Sequence, residues 1–298
     1  MAEVRRQSWA GAIAVALLLV ACSSSGTTKQ TAASTDAAGQ PVQTTVVIGS
    51  DGSSSVVVVP NGGGPAPTDA PPPPTSDGGS PGAANIDGNG APGSFAPAIL
   101  QPSLSSEIVV EVRAQSGAAP QQASIDHLTG VLRDVSGKTV TVAGGSVVGG
   151  GAQDWSADAL RAAGDGGAAQ GNGRAVLHLL FVHGTFEGNT SVLGVSVRGD
   201  VAAVFVDQVS ASSTPLVGSS GIETAVVTHE VGHLMGLVDL LLHTGRQDPD
   251  HPGHSTNTKS VMYWAVESNL VSQLLQGGPP NTFDSADLAD LQTIRNGG

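Results

Sequence analysis

His229 and His233 stand four positions apart, with Glu230 between them. On a helix that spacing is about one turn, so the two imidazoles share a face and can each bring a nitrogen to one Zn²⁺ ion. Glu230 lies beside that face but off its axis. A carboxylate there is suited to accept a proton from metal-bound water and pass it to a leaving amine, not to ligate. The same three residues recur by accident on buried helices, so the triplet takes its meaning from its surroundings. Gly236 follows His233 by three residues, where a helix must stop if a later residue is to swing back to the metal. Glycine permits the left-handed turn this requires. A separate segment, Ser260-Val261-Met262-Tyr263, follows further on.

Together, His229-Glu230-Val231-Gly232-His233-Leu234-Met235-Gly236-Leu237-Val238-Asp239 and Val261-Met262-Tyr263 resemble the extended zinc motif and Met-turn of the metzincin clan of metallopeptidases. The resemblance covers most of residues 104–298. It implies an α+β, zincin-like fold: a mixed twisted sheet of about five strands, two main helices of which one carries the active site, a Met-turn and a C-terminal helix. It also implies a zinc-dependent metalloendopeptidase with a protein or peptide substrate, Glu230 as general base and Met262 as an apolar floor beneath the metal. Metzincins usually have histidine where this chain has Asp239, although snapalysin-like members are similar in having aspartate. Asp239 is therefore the expected third ligand beside His229 and His233, binding through a carboxylate oxygen. The long stretch from Leu240 to Lys259 brings His243, His251 and His254 before the Met-turn. His254 is the leading alternative, because it approaches from just before Met262 and would complete the site with imidazole. In that case Asp239 becomes a supporting acceptor or a helix-end residue.

The elements that must position these groups follow from periodicity. Glu107 to Arg113 reads as a strand and Ser124 to Val135 as an amphipathic helix, with Ile125, Leu128, Leu132 and Val135 on its apolar face. Lys138 to Ala143 and Ala175 to Val182 read as further strands. Val192 to Arg198 and Val201 to Asp207 form a hairpin turning at Arg198-Gly199-Asp200, the first of them being the candidate edge for an extended peptide. Ser220 and Glu223 have capping-box spacing and open the helix that carries His229. Asp154 to Ala163 adds a short helix. A last helix near Ser285 to Ile294 is expected to turn Leu288, Leu291 and Ile294 inward. His178 and His183 flank a buried strand and are read as structural or exposed. Asp248-Pro249-Asp250-His251 is read as solvated loop in preference to a calcium site, for want of further oxygen ligands. Tyr263 is read as a packing residue that could alternatively hydrogen-bond a reaction intermediate.

The N-terminus limits where such a protein works. Arg5-Arg6 precedes an apolar run from Ala10 to Ala21 that ends in Leu19-Val20-Ala21-Cys22, which resembles a bacterial lipobox. Residues 1–21 are the expected lipoprotein signal peptide. Acyl chains on Cys22, the single cysteine, would anchor the exported chain at the cell envelope, and no intrachain disulfide can form. Residues 22–103 are rich in Gly, Pro and Ser and read as a disordered linker, within which Val46 to Ile48 and Val56 to Val59 are strand or propeptide candidates. Residues 104–298 are the catalytic domain. A net charge of −13 and an acidic pI near 4.7 argue against a nucleic-acid partner, and a monomer is expected. Two rival readings are a catalytically silent zinc-fold module binding peptide or cell-wall material, and a stalked adhesin whose motif is accidental.

Overall fold

Arg174–Val182 is apolar on both alternating faces, which suits a strand covered from two sides, and in the computed structural model it is the middle strand of the main sheet. The structure describes residues 86–215, 217–268 and 279–298, together with the backbone of three strands nearer the N-terminus. The expected signal peptide and Cys22 lie outside the described residues. The chain divides into two compact units, Met1–Ala66 and Pro67–Gly298.

In the first unit, β1 (Thr28–Thr35), β2 (Pro41–Ile48) and β3 (Ser54–Pro60) form an antiparallel meander with Thr28 opposite Ile48 and Val42 opposite Pro60. Both valine runs lie on strands, and β-branched residues favour the pleated backbone. The stretch expected to be a disordered linker therefore contains a sheet.

The second unit begins its described part at Ile86, earlier than the expected boundary at residue 104. Helix α1 (Ala96–Leu100) buries Ile99 and Leu100 completely, as does Phe95 just before it. Each such side chain contributes about 1.5–3 kcal/mol of burial, so this segment belongs to the core and not to the linker. The elements that follow are β4 (Glu107–Ala114), α2 (Gln122–Ser136), β5 (Thr139–Gly144), β6 (Gln153–Trp155), α3 (Ala157–Asp165), β7 (Arg174–Val182), β8 (Gly184–Phe186), β9 (Gly194–Arg198), β10 (Val201–Phe205), α4 (Val206–Ala211), α5 (Ser219–Leu234) and α6 (Ser285–Arg295). A 3-10 turn, Trp264–Glu267, lies between the last two helices.

The five-stranded sheet has the order β5-β4-β7-β10-β9. All neighbours are parallel except β9, which pairs antiparallel with β10 at one edge, as the hairpin reading requires. Leu177, Leu179 and Phe181 of β7 belong to the core shared with α2 and α5, while Leu180 and Val182 pack with Trp155, Leu160 and Phe205 on the opposite face. His178 points to that opposite face, where its Nδ1 lies 2.7 Å from Glu111 and Asp200 closes a bond to Arg198. His183 lies 2.8 Å from Asp207.

Two local expectations are corrected. Glu223 does not cap α5, whose N-cap is Gly218 without a side-chain bond; its carboxylate instead accepts the Gln121 backbone N–H at 2.7 Å, bracing the start of α2. Leu288 of α6 is exposed, while Leu291 and Ile294 are buried. The rotation of α6 is set by its capping box, because Asp287 turns inward to bond both the Asp284 backbone and the Ser260 hydroxyl, leaving Leu288 outside.

The Lys138 amine is buried and donates to the Ala98 carbonyl at 2.8 Å and the Ser105 hydroxyl at 2.7 Å. Burial first, then the Arg295 charge, lower its pKa from 10.5 to about 8. Between those values the unfolded chain binds more protons than the folded one, so stability rises as pH increases through that window. Thermal melts from about pH 7.5 to 10 are expected to show a rising Tm in the wild type and a flatter one in Lys138→Met.

Candidate metal centre

Helix α5 is buried on all sides, with every residue from Ile222 to Leu234 inside, so it runs through the core and takes its polar groups there with it. His229 is fully buried, and its Nδ1 stands 2.7 Å from the Val261 carbonyl oxygen. A carbonyl only accepts, so Nδ1 is the donor there, and Nε2 is the nitrogen left to face the interior. One turn on, His233 brings its Nε2 to 3.0 Å from His229 Nε2. The His233 Nδ1 has no hydrogen-bond partner. Burial, followed by the neighbouring His229 and His254, holds His233 well below the ordinary histidine pKa, hence neutral.

The third imidazole is that of His254. It stacks on His229 with ring centroids 5.2 Å apart and meets His233 edge-on at the same separation. The long loop places it there by folding back onto the Met-turn: Ser255 N–H donates to the Met262 carbonyl at 2.8 Å, and Asp248 N–H donates to the His254 carbonyl at 2.7 Å. Gly253, at φ +87°, supplies the turn just before it. His251 is held elsewhere, stacked on Trp264 at 4.3 Å and bonded to Asp248, and His243 bonds the Asp239 carbonyl. The Asp248-Pro249-Asp250-His251 stretch closes its own turn, with Asp248 also accepting the Asp250 N–H.

Asp239, the expected third ligand, stands apart from this group. After Gly236 (φ +82°), Val238 and Asp239 also take left-handed backbone conformations, at φ 53° and 67°. This turns the Asp239 carboxylate away from α5 to accept from Thr244 N–H at 3.0 Å, from the Thr244 hydroxyl at 2.6 Å and from Gln247 N–H at 3.2 Å. Burial alone would raise its pKa, but these donors hold it below the ordinary value. It braces the loop that delivers His254.

A fourth residue completes the group. His229, His233, His254 and Glu267 are all buried, with one candidate ligand atom each and all of these atoms within 4.8 Å of one another. Glu267 sits at the end of the 3-10 turn, 3.2 Å from His254 Nε2 and 3.6 Å from His229 Nε2. Burial would raise its pKa, but His254 and His229 keep it well below the usual carboxylate range. Sequence reasoning missed it. The signal was an acid directly after the apolar Trp264-Ala265-Val266 stretch, where a buried carboxylate needs a partner. Three imidazoles and a carboxylate are nitrogen and oxygen donors that zinc accepts, and the net charge of such a buried group is offset by a divalent cation. The residues fit a metal ion.

Glu230 lies beside the group and is almost fully buried. Ser196 on β9 donates to its Oε2 at 2.9 Å and to its backbone oxygen at 2.9 Å, while Oε1 has no partner. Burial, then the Glu267 charge, raise its pKa well above the ordinary value, opposed by the Ser196 bond. Gly194 makes room for it, since a Cβ there would stand 2.8 Å from Glu230 Oε1 and 2.6 Å from Val226 Cγ1. Gly194→Ala is therefore expected to push the Glu230 carboxylate and Val226 aside and to lower the melting temperature, since such overpacking costs about 1–3 kcal/mol. Thermal melts of the wild type and the variant check it. Beneath the helix, Met262 is fully buried, and a Cβ on Gly232 would strike its sulfur. Among the described residues no helix is long and apolar enough to cross a membrane.

No protein-family model and no curated protein matches the chain. Among solved structures, it is similar to archaemetzincin from Methanopyrus kandleri at 20% identity and a TM-score of 0.43, covering 63% of this chain and 96% of that one. It is also similar to metalloproteinase-II from Bacteroides fragilis at 13% identity and a TM-score of 0.37, covering 92% of this chain and 78% of that one.

Proposed function

We propose that this chain is a zinc-dependent metalloendopeptidase of the metzincin kind, with His229, His233 and His254 as ligands and Glu230 as general base. One observation carries the reading: the His229 and His233 nitrogens converge beside a buried carboxylate that is held by Ser196 and has one oxygen unpartnered. A structural site has no use for such a group. When bound, zinc supplies Lewis-acid polarisation of a carbonyl and a water acidic enough to lose a proton near neutral pH. Glu230 takes that proton at Oε1, the atom without a partner, while Ser196 fixes Oε2. From that position Glu230 can hold the proton and then release it to the leaving amine. The Val261 carbonyl fixes the tautomer and tilt of His229. Strand β9, the antiparallel edge, offers backbone groups to an extended peptide.

The N-terminal residues support a further part of the proposal, that the chain is exported and held at the cell envelope by lipid on Cys22, acting as a monomer on protein or peptide substrates. The purified protein is expected to contain one equivalent of zinc and to hydrolyse an unstructured protein such as casein, with loss on chelation and recovery on adding zinc. Zinc without any hydrolysis, under conditions that also free the site, would sink the enzyme reading. A second reading, a catalytically silent module that binds peptide or cell-wall material, is favoured by one observation, the fourth buried donor Glu267. Closed four-donor sites are typically structural.

A further inference from the structure

A catalytic zinc keeps one coordination position open, yet this group holds one protein donor more than that arrangement uses. The Glu267 oxygens lie 3.2 Å from His254 Nε2 and 3.6 Å from His229 Nε2. Donors around a tetrahedral zinc with bonds of about 2.0–2.1 Å stand about 3.3 Å apart, so this carboxylate sits where a fourth donor would. A second observation concerns the backbone of the same residue. The Glu267 carbonyl accepts the Leu193 N–H at 2.7 Å, and Val192 pairs with Ser268 in an antiparallel bridge. Residues 192–193 lead directly into β9, the edge strand on which Ser196 holds Glu230. One short segment therefore presents a carboxylate to the metal position and covers the start of the edge that a peptide would use.

We propose that Glu267 is a fourth protein donor to the metal and that the Trp264–Ser268 segment is a built-in plug, so that the chain folds in a latent form. This rests on the zinc peptidase reading above. The plug is held by the chain's own geometry, since the Val266 N–H bonds the Tyr263 carbonyl and the Ser268 N–H bonds the Ala265 carbonyl. Release requires Glu267 to leave the metal position and Leu193 N–H to exchange its partner. An extended peptide can supply that exchange, because its own carbonyl can replace that of Glu267. The single cysteine lies far upstream at Cys22, so a carboxylate is the anionic donor that the catalytic domain itself brings to the site.

The test uses the full chain loaded with Co²⁺ in place of zinc, as wild type, Glu267→Gln and Glu267→Asp, with circular dichroism to establish folding. The wild type is expected to give an intense four-coordinate visible spectrum that added acetohydroxamate leaves largely unchanged. Glu267→Gln is expected to give a weaker spectrum of higher coordination that shifts on adding acetohydroxamate, with Glu267→Asp in between. In the zinc forms, peptide hydrolysis by Glu267→Gln should exceed wild type by about tenfold or more, as when a competent minor state becomes the major one. Identical spectra in wild type and Glu267→Gln, or ready binding of acetohydroxamate by wild type, would overturn the proposal, and the wild-type measurement holds even if a variant misfolds. Equal hydrolysis by the two with identical spectra would remove the plug and leave the peptidase standing. A changed spectrum with no hydrolysis in either protein would retain Glu267 as donor but overturn both the peptidase reading and the latency built on it.

Discussion

Glu230→Gln is expected to lower kcat for peptide hydrolysis by about 10²- to 10⁴-fold, the contribution of a positioned general base, with zinc stoichiometry unchanged. The substitution is nearly isosteric and its amide oxygen can still accept the Ser196 hydroxyl, so neither the packing of α5 nor the three imidazoles should move. What disappears is the ability to take a proton. The assay is best run in the wild type and in the Glu267→Gln background, since the loss should appear in both while the starting rate differs. Retained zinc separates a lost base from a lost metal. Undiminished hydrolysis would remove Glu230 from the mechanism and require another base.

His254→Ala and Asp239→Ala should part company, and this contrast carries the second large effect. Loss of His254 removes an imidazole from the donor group, and zinc affinity is expected to fall by more than about 100-fold, beyond what the loss of a supporting neighbour costs. At free zinc near 100 times its dissociation constant, binding stabilises the wild-type fold by about 2.7 kcal/mol. The zinc-dependent rise in Tm should therefore vanish in His254→Ala. Asp239→Ala should keep that rise from a lower starting Tm. It strips the acceptor from Thr244 and Gln247, and hydrogen bonds to a charged group contribute about 1.5–3 kcal/mol each. Melts with and without zinc measure both quantities. If Asp239→Ala abolishes the rise and His254→Ala preserves it, the ligand assignment proposed above is wrong.

The readable parts of this protein were those governed by neighbours in sequence. The His229 to His233 spacing settles which face of α5 carries the imidazoles, and the turn at Arg198-Gly199-Asp200 settles the hairpin that ends the sheet. Continuous apolar runs located β7 and β10, although they could not reveal that β7 lies in the middle. The errors arose where a side chain had two possible employers. Glu223 has the spacing to cap its own helix, but Gln121 offers a buried N–H that needs an acceptor, and the tertiary bond wins. Leu288 has the periodicity of an inward residue, but Asp287 has specific partners in Ser260 and Asp284 that fix the rotation of α6. Phe95 and Ile99 sit beside a Gly- and Pro-rich stretch, so composition assigned to the linker residues that the core claims.

The same division runs through the candidate metal site. By itself the sequence determined two imidazoles, the adjacent carboxylate and the glycine that ends their helix, because an α-helix converts a fixed spacing into a fixed geometry. Only the tertiary structure decided the rest. His254 enters because a loop folds back onto the Met-turn through the Ser255 to Met262 bond, and Glu267 because a 3-10 turn docks against Leu193. Asp239 leaves because two left-handed residues rotate it toward Thr244. Loop closure depends on backbone partners distant in the chain, and no periodicity encodes them; of the four histidine and aspartate candidates that the sequence supplied for one position, the hydrogen bonds of the loop bring His254 beside His229 and His233.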